Sequence, residues 1–345
     1  MTLKSEIFEQ PEVLARLLEG QRSQVQEIAD TIRKQGVDFI FLTARGTSDN
    51  AGLYAKYLWG CFNRLPIALA APSLFSIYGS GPNLKDALVV AISQSGQSPD
   101  ILSVVSAANA QGAPTLAITN SPASPLGQAV DFVIDTCAGP EQAVAATKTY
   151  TAQLMAIAML SAAFSGNPEH WAALERTASL LQPALALDET IERVAQRYRY
   201  VTECVVLGRG YNYATAFEWS LKLKELAYVV AEPYSSADFQ HGPVAIVTRG
   251  FPVFAVVPDG AVFEHMMGLL SELANEHQAE LLVVSNREEA LSLAHTPLPL
   301  PRELPEWLSP LVSIVPAQLF CYHLTRARGF DTESPRGLSK VTLTH

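Results

Sequence analysis

Six consecutive apolar residues, ALVVAI at 87–92, run straight into Ser93, Gln94, Ser95, Gly96, Gln97 and Ser98. An unbroken apolar run of this length suits a strand covered on both faces, as in a parallel sheet packed between helices. Similar runs stand at 38–46 (DFIFLTARG), 66–71 (PIALAA), 115–119 (TLAIT) and 131–135 (DFVID). Between them lie stretches of helical periodicity, one after Gly46 to about Phe62 and one from Pro99 to Gln111, closed by Gly112. Residues 5–35 read as a helix before the first strand, and 147–200 as a long helical stretch broken at SGNPEH, 165–170. Strands alternating with helices of this length predict βαβ units and an α/β fold.

The pattern then returns. ECVVLGRG (203–210) repeats the form of DFIFLTARG, and PVFAVVPDG (252–260) repeats that of ALVVAISQSG. Arg45–Gly46 and Arg209–Gly210 are 164 residues apart, and so are Gly96 and Gly260. Two pairs at one offset indicate a tandem duplication. ELLVVS (280–285) continues the second sheet, and a helix from about Pro305 to Arg328 closes it despite Pro310 and Pro316. The expected organisation is an N-terminal helical segment (1–35), a first domain (36–185), a second domain (186–330) and a C-terminal tail (331–345).

The composition narrows the function. The formal net charge of −10 comes with no basic stripe, which argues against a nucleic-acid partner. No apolar run approaches the roughly 20 residues of a membrane span, and the N-terminus has no apolar signal core. Four scattered cysteines form no CxxC pair, so reduced thiols and a cytoplasmic location are expected. The histidines show no HxxxH or HExxH spacing, so neither a metal site nor another cofactor is expected.

The loop after ALVVAI is the chemically pointed stretch. Ser98 followed by Pro99 predicts a helix N-cap with proline in the first turn. Hydroxyl and amide donors therefore meet a helix N-terminus at the carboxyl end of a strand, where an anion is favoured and where open α/β sheets bind ligands. Gly96 permits close approach of the backbone. The Walker lysine pattern is absent. On composition alone, a capped turn facing water fits this loop equally well.

ISQSGQSPD (92–100) resembles the phosphosugar-binding signature of the sugar isomerase (SIS) domain family. ARGTSDNAGLYAKYL (44–58) resembles the first strand–helix turn of that domain, and EQAVAATKTYTAQL (141–154) the loop and helix after its last strand. Residues 207–247 and the tail PRGLSKVTLT (335–344) resemble the isomerase half of glucosamine-6-phosphate synthase and SIS-type glucosamine-6-phosphate deaminases. The resemblance implies two tandem SIS domains, each a mostly parallel sheet in a flavodoxin-like three-layer sandwich. The chain opens Met1-Thr2-Leu3-Lys4, without the synthase's cysteine beside the initiator methionine. The expectation is therefore a reaction not fed by glutamine: conversion of glucosamine 6-phosphate to fructose 6-phosphate and ammonia. The rivals are a deglycase, an isomerase of another phosphosugar, and a non-catalytic phosphosugar sensor.

The resemblance also implies roles. Ser93, Gln94, Ser95 and Ser98 would bind the phosphate, with Gly46, Thr47 and Ser48 of the first turn nearby, and Val144 would touch the sugar through its backbone. The family serine of VASTK is Ala146 here, which removes one hydroxyl donor. Glu225 would move the proton between C1 and C2, with Lys222 beside it. Glu218, Lys222 and Glu225 share one helical face, a spacing that by itself favours an ordinary salt-bridged surface. His241 would open the sugar ring and complete the site of the other subunit of a homodimer, although a lone loop histidine is by itself more often simply exposed. Lys340 would act in ring opening or imine chemistry, although by position it is an ordinary tail lysine. The second domain's equivalent loop, VVPDGAVFEH, has lost the Ser/Gln set, so the first domain alone is expected to hold phosphate.

Overall fold

The computed structural model describes residues 2–340. Contacts divide the chain into two compact units, each built on one sheet. The first sheet lies in a unit that, among the described residues, is made of Glu12–Glu141, Lys148–Arg176, Ser339 and Lys340. The second lies in a unit made of the chain up to Pro11, Gln142–Thr147 and Thr177–Leu338.

The first sheet holds β1 (Phe39–Thr43), β2 (Ile67–Leu69), β3 (Ala87–Ile92), β4 (Thr115–Thr119) and β5 (Phe132–Asp135), all parallel, in the order β2-β1-β3-β4-β5. Every residue of β3 is buried. Ala87, Val89 and Ala91 face Val104, Ile101 and Val105 of the helix Pro99–Ala110, and Leu88, Val90 and Ile92 are equally enclosed on the other face. Burial of each large side chain contributes about 1.5–3 kcal/mol, so the unbroken apolar run is what central placement demands. The edge strand β2 is three residues long, shorter than PIALAA suggests, with every residue partly open to solvent.

The second sheet holds β6 (Glu203–Gly208), β7 (Val230–Ser235), β8 (Pro252–Val256), β9 (Glu280–Ser285) and β10 (Thr296–Pro299), in the order β10-β9-β8-β6-β7. Counted within each sheet, both orders are 2-1-3-4-5, the flavodoxin-like topology, and β1 and β6 begin 164 residues apart. Val205, Val253, Ala255 and Leu281 pack under the helix Phe263–Asn275. On the opposite face Phe254 stacks on Trp219 at 5.3 Å and meets Phe320 edge-on at 5.3 Å. Each unit is thus a parallel sheet flanked by helices.

The first and last helical stretches differ from the sequence reading. Residues 5–35 form two helices, Leu3–Phe8 and Gln10–Gln35, and Pro11 sits in the first turn of the second, where its missing N–H costs nothing. The helix Ser309–Ala327 follows a short 3₁₀ turn at Glu306–Leu308. The segment Glu306–Ala327 is long and apolar enough to cross a membrane, yet its apolar window is buried inside the protein, as in a core helix.

Candidate active site

The carboxyl ends of β1 and β3 lie at the switch point of the first sheet, where the strand order reverses. Thr43 is in register with Ala91. After β1 the chain turns through Gly46, which holds φ 55° and ψ −129° in the region glycine alone adopts readily, and enters the helix Thr47–Asn63. Ser48 is buried in its first turn, where its hydroxyl accepts from Gln153 Nε2 at 3.0 Å.

After β3 come the predicted phosphate ligands. The Ser93 hydroxyl is buried and accepts from the Gly96 N–H at 3.1 Å, and the Ser95 hydroxyl accepts from the Gln97 N–H at 3.4 Å. Both keep their own O–H to donate. Ser98 is the N-cap of Pro99–Ala110, but its hydroxyl does not cap; its carbonyl accepts from Leu102 N at 3.1 Å instead. The Ser98 hydroxyl and the Gln94 amide have no partner among the described residues. Four donors thus remain unspent in one turn before a 12-residue helix, chemistry suited to an oxyanion. The sequence reading did not single out Asp100, which is 1% exposed and accepts from Arg45 Nε at 2.6 Å. Asp49 lies nearby in sequence; burial pushes its carboxyl up, and Arg45 pulls against that rise.

Lys340 belongs to the same unit. Its ammonium donates to Glu141 at 2.7 Å, and that carboxylate is fully buried. Glu141 also accepts from the Thr149 N–H at 3.1 Å and the Thr149 hydroxyl at 2.8 Å, in the first turn of the helix Lys148–Ser165. Lys340 is thus not the solvated tail lysine its position suggests; it is held by a buried carboxylate. Sequence reading gave no role to Glu141, whose signal is its place as the first residue of the EQAVAATK stretch.

The second unit carries Glu225, Lys222, His241 and Val144. The helix Tyr213–Lys222 widens into a π-helical turn, Leu223–Ala227, that ends at Tyr228 with φ 54°. Glu225 rides on that turn. Segments of this kind are rare and concentrate at functional sites. Lys222 is 1% exposed and hydrogen bonds to Glu225; its Nζ also lies 3.4 Å from Glu218, which is fully buried. The triad is therefore not the surface salt-bridge array that spacing alone favoured. One ammonium sits between two carboxylates, and only Glu225 reaches solvent, with 24% of its side chain exposed. Cys321 lies within their field, where burial pushes its thiol well up, so it stays protonated.

His241 follows the short helix Ser236–Gln240 and precedes Gly242, which holds φ 128°. It is exposed, and among the described residues its ring has no hydrogen-bond partner and no contact with Glu225 or Lys222. Val144 is half-buried in a loop that Glu6 pins by accepting from Gln142 N at 2.5 Å and Ala143 N at 3.3 Å. The Val144 N–H bonds to no described residue.

In the second sheet, the loop after β8 matches the Ser/Gln loop by position but is filled with its own acid. Glu306 accepts from the Ala261 N–H at 2.9 Å, and Asp259 pairs with Arg287 at 2.6 Å. Two carboxylates there oppose a phosphate. Among the described residues no cluster of His, Cys, Asp and Glu could hold a metal ion.

The SIS domain model matches residues 35–163 and 202–327, most of the chain in two segments that each contain one of the sheets. The chain belongs to the SIS domain family. It is 35% identical over 345 residues to glutamine–fructose-6-phosphate aminotransferase (isomerizing) of Thermococcus kodakarensis, and 36% identical over 337 residues to the protein of that name from Methanothermobacter thermautotrophicus. Each alignment takes in 97% of this SIS-family chain and 56% of the relative, so the chain spans about half the length of the curated relatives it matches. The C-terminal domain of glucosamine-fructose-6-phosphate aminotransferase from Francisella tularensis superposes with a TM-score of 0.86 at 28% identity, covering 96% of this chain and 98% of that one.

Proposed function

We propose that this SIS-family chain is a phosphosugar aldose–ketose isomerase that converts glucosamine 6-phosphate and water to fructose 6-phosphate and ammonia. The Ser93–Ser98 turn, with Gly46, Thr47 and Ser48 beside it, binds the phosphate, and the Val144 N–H meets the sugar. His241, an exposed imidazole, opens the ring, serving the second copy of a homodimer as the family resemblance implies. Glu225 takes the C2 proton of the open-chain aldehyde and returns it to C1, while Lys222 steadies charge on the enediol-like intermediate. The product of that shift is a C2 imine with a hydroxymethyl at C1. Water adds to C2 and ammonia leaves, giving the ketose. Lys340 assists ring opening or the imine step.

The observation that carries this reading is Glu225 itself: a partly exposed carboxylate on a π-helical turn, in contact with a buried ammonium. A phosphosugar sensor needs the Ser/Gln turn but has no use for that pair. The test is coupled measurement of ammonia and fructose 6-phosphate from glucosamine 6-phosphate. Wild type is expected to release both in equal amounts, and Glu225→Gln to lose about 10²–10⁴-fold in turnover. If wild type releases neither, the reaction is rejected. Ala146 removes one hydroxyl donor to the sugar, so the second reading is an isomerase of another phosphosugar; interconversion of glucose 6-phosphate and fructose 6-phosphate by the same protein would select it.

A further inference from the structure

Arg45 has no role in the scheme above, yet it stands at the mouth of the phosphate turn. β1 and β3 are adjacent parallel strands, about 4.8 Å apart, with Thr43 beside Ala91. Two residues further along each chain are Arg45 and Ser93, so the arginine is level with the first phosphate ligand. Its side chain is half exposed, with 49% of its area open, but its base is fixed: Nε donates to Asp100 at 2.6 Å, and Asp100 is 1% exposed in the first turn of the helix Pro99–Ala110. A guanidinium has five N–H donors. Asp100 uses the one on Nε, and both Nη groups are without a partner among the described residues.

Charge gives the pair its meaning. The hydroxyl and amide donors of Ser93, Gln94, Ser95 and Ser98 are neutral, while a sugar phosphate near neutral pH brings about −1.5 to −2. Asp100, and Asp49 to the extent it is ionised, would both oppose that charge. Arg45 supplies the balancing cation, and the Asp100 contact holds the planar fork in place before any ligand arrives. Such an arginine suits a tetrahedral oxyanion better than a flexible lysine does.

We propose that Arg45 is a specificity-determining residue that binds the phosphate of the substrate through its Nη groups, with Asp100 as its positioning residue. The proposal rests on the phosphosugar reading, but its test separates the two. Binding of inorganic phosphate is measured by calorimetry, alongside steady-state kinetics, for wild type, Arg45→Met and Arg45→Lys, with thermal melts to establish folding. Arg45→Met is expected to weaken phosphate binding and raise KM by about ten- to a hundredfold, the range of a charged hydrogen bond, with kcat within about threefold. Arg45→Lys should recover part of both, because it keeps the charge without the fork. Equal phosphate affinity and KM in Arg45→Met and wild type, in folded proteins, would overturn the proposal; so would wild type that binds no phosphate. Wild type that binds phosphate in an Arg45-dependent way but turns over no phosphosugar would support the proposal and reject the reaction.

Discussion

Lys340 and Glu141 are 199 positions apart in the chain and 2.7 Å apart in space. Because Glu141 is enclosed and keeps two further hydrogen bonds from Thr149, it is a fixed anchor onto which the tail lysine docks. Glu141→Gln retains an acceptor for Thr149 but removes the charge that holds Lys340. The peptide bond after Lys340 should then be cut by trypsin at least about tenfold faster in the native protein, because cleavage follows the opened population. Mass spectrometry over a time course measures this. Equal rates in the variant and wild type would show that the ion pair does not restrain the tail.

The Glu218–Lys222 pair supports a second expectation. Both side chains are essentially excluded from solvent. Lys222→Met removes the cation while Glu218 stays in the interior, and breaking a buried pair from one side typically costs about 3–5 kcal/mol. Adding Glu218→Leu removes the stranded charge, so the double variant should be more stable than the single one. Urea unfolding of the three proteins measures it. A double variant no more stable than Lys222→Met would mean that the two groups do not act as a pair.

What the sequence made legible follows from where each element sits. The central strands β1, β3, β4, β8 and β9 are apolar on both faces, so their runs stand out against the helices. β7 and β10 were missed, and both contain prolines, Pro233 in one and Pro297 and Pro299 in the other. They occupy the two edges of the second sheet, where a missing N–H can face away from the ladder. The Ser93–Ser98 turn at a strand–helix junction was legible because the residue types and the junction lie in one stretch of sequence. The Glu218–Lys222–Glu225 spacing was visible too, but its burial and the π-helical turn were not, because both depend on packing in the second unit. Asp100 and Glu141 were invisible for a related reason: their partners, Arg45 and Lys340, are distant in sequence.

Stability should fall in acid through Asp188. Burial pushes its carboxyl up, but hydrogen bonds from Lys4 and His323, each at 2.7 Å, outweigh that and hold it below the usual aspartate range. A depressed folded-state value means the contribution is complete above the unfolded value of about 4 and is lost as pH falls through the folded one. Asp188→Asn should therefore cost on the order of 1 kcal/mol at pH 7, a figure discounted because Lys4 is one-third exposed. The gap between variant and wild type should narrow below about pH 4. Denaturant melts at several pH values test this, and a gap that stays constant with pH would contradict it.

Gly96 tests the proposed phosphate turn without altering a proposed ligand side chain. It holds φ 62°, and a Cβ added there would lie 2.0 Å from Ser124 Oγ and 2.7 Å from Ser124 Cβ. Its N–H also donates to Ser93 Oγ, so the turn and the proposed phosphate ligand Ser93 are mechanically joined. Gly96→Ala imposes both a left-handed backbone on alanine and a clash with Ser124, and strain of this kind costs about 1–3 kcal/mol. Ser124→Gly removes the clashing atoms and should restore part of the loss, although it also removes the hydroxyl that accepts from Gly127 N. Phosphate affinity should fall in Gly96→Ala and partly return in the double variant. If Gly96→Ala binds inorganic phosphate as wild type does while melting at a lower temperature, the shape of this turn matters to the fold and not to the anion.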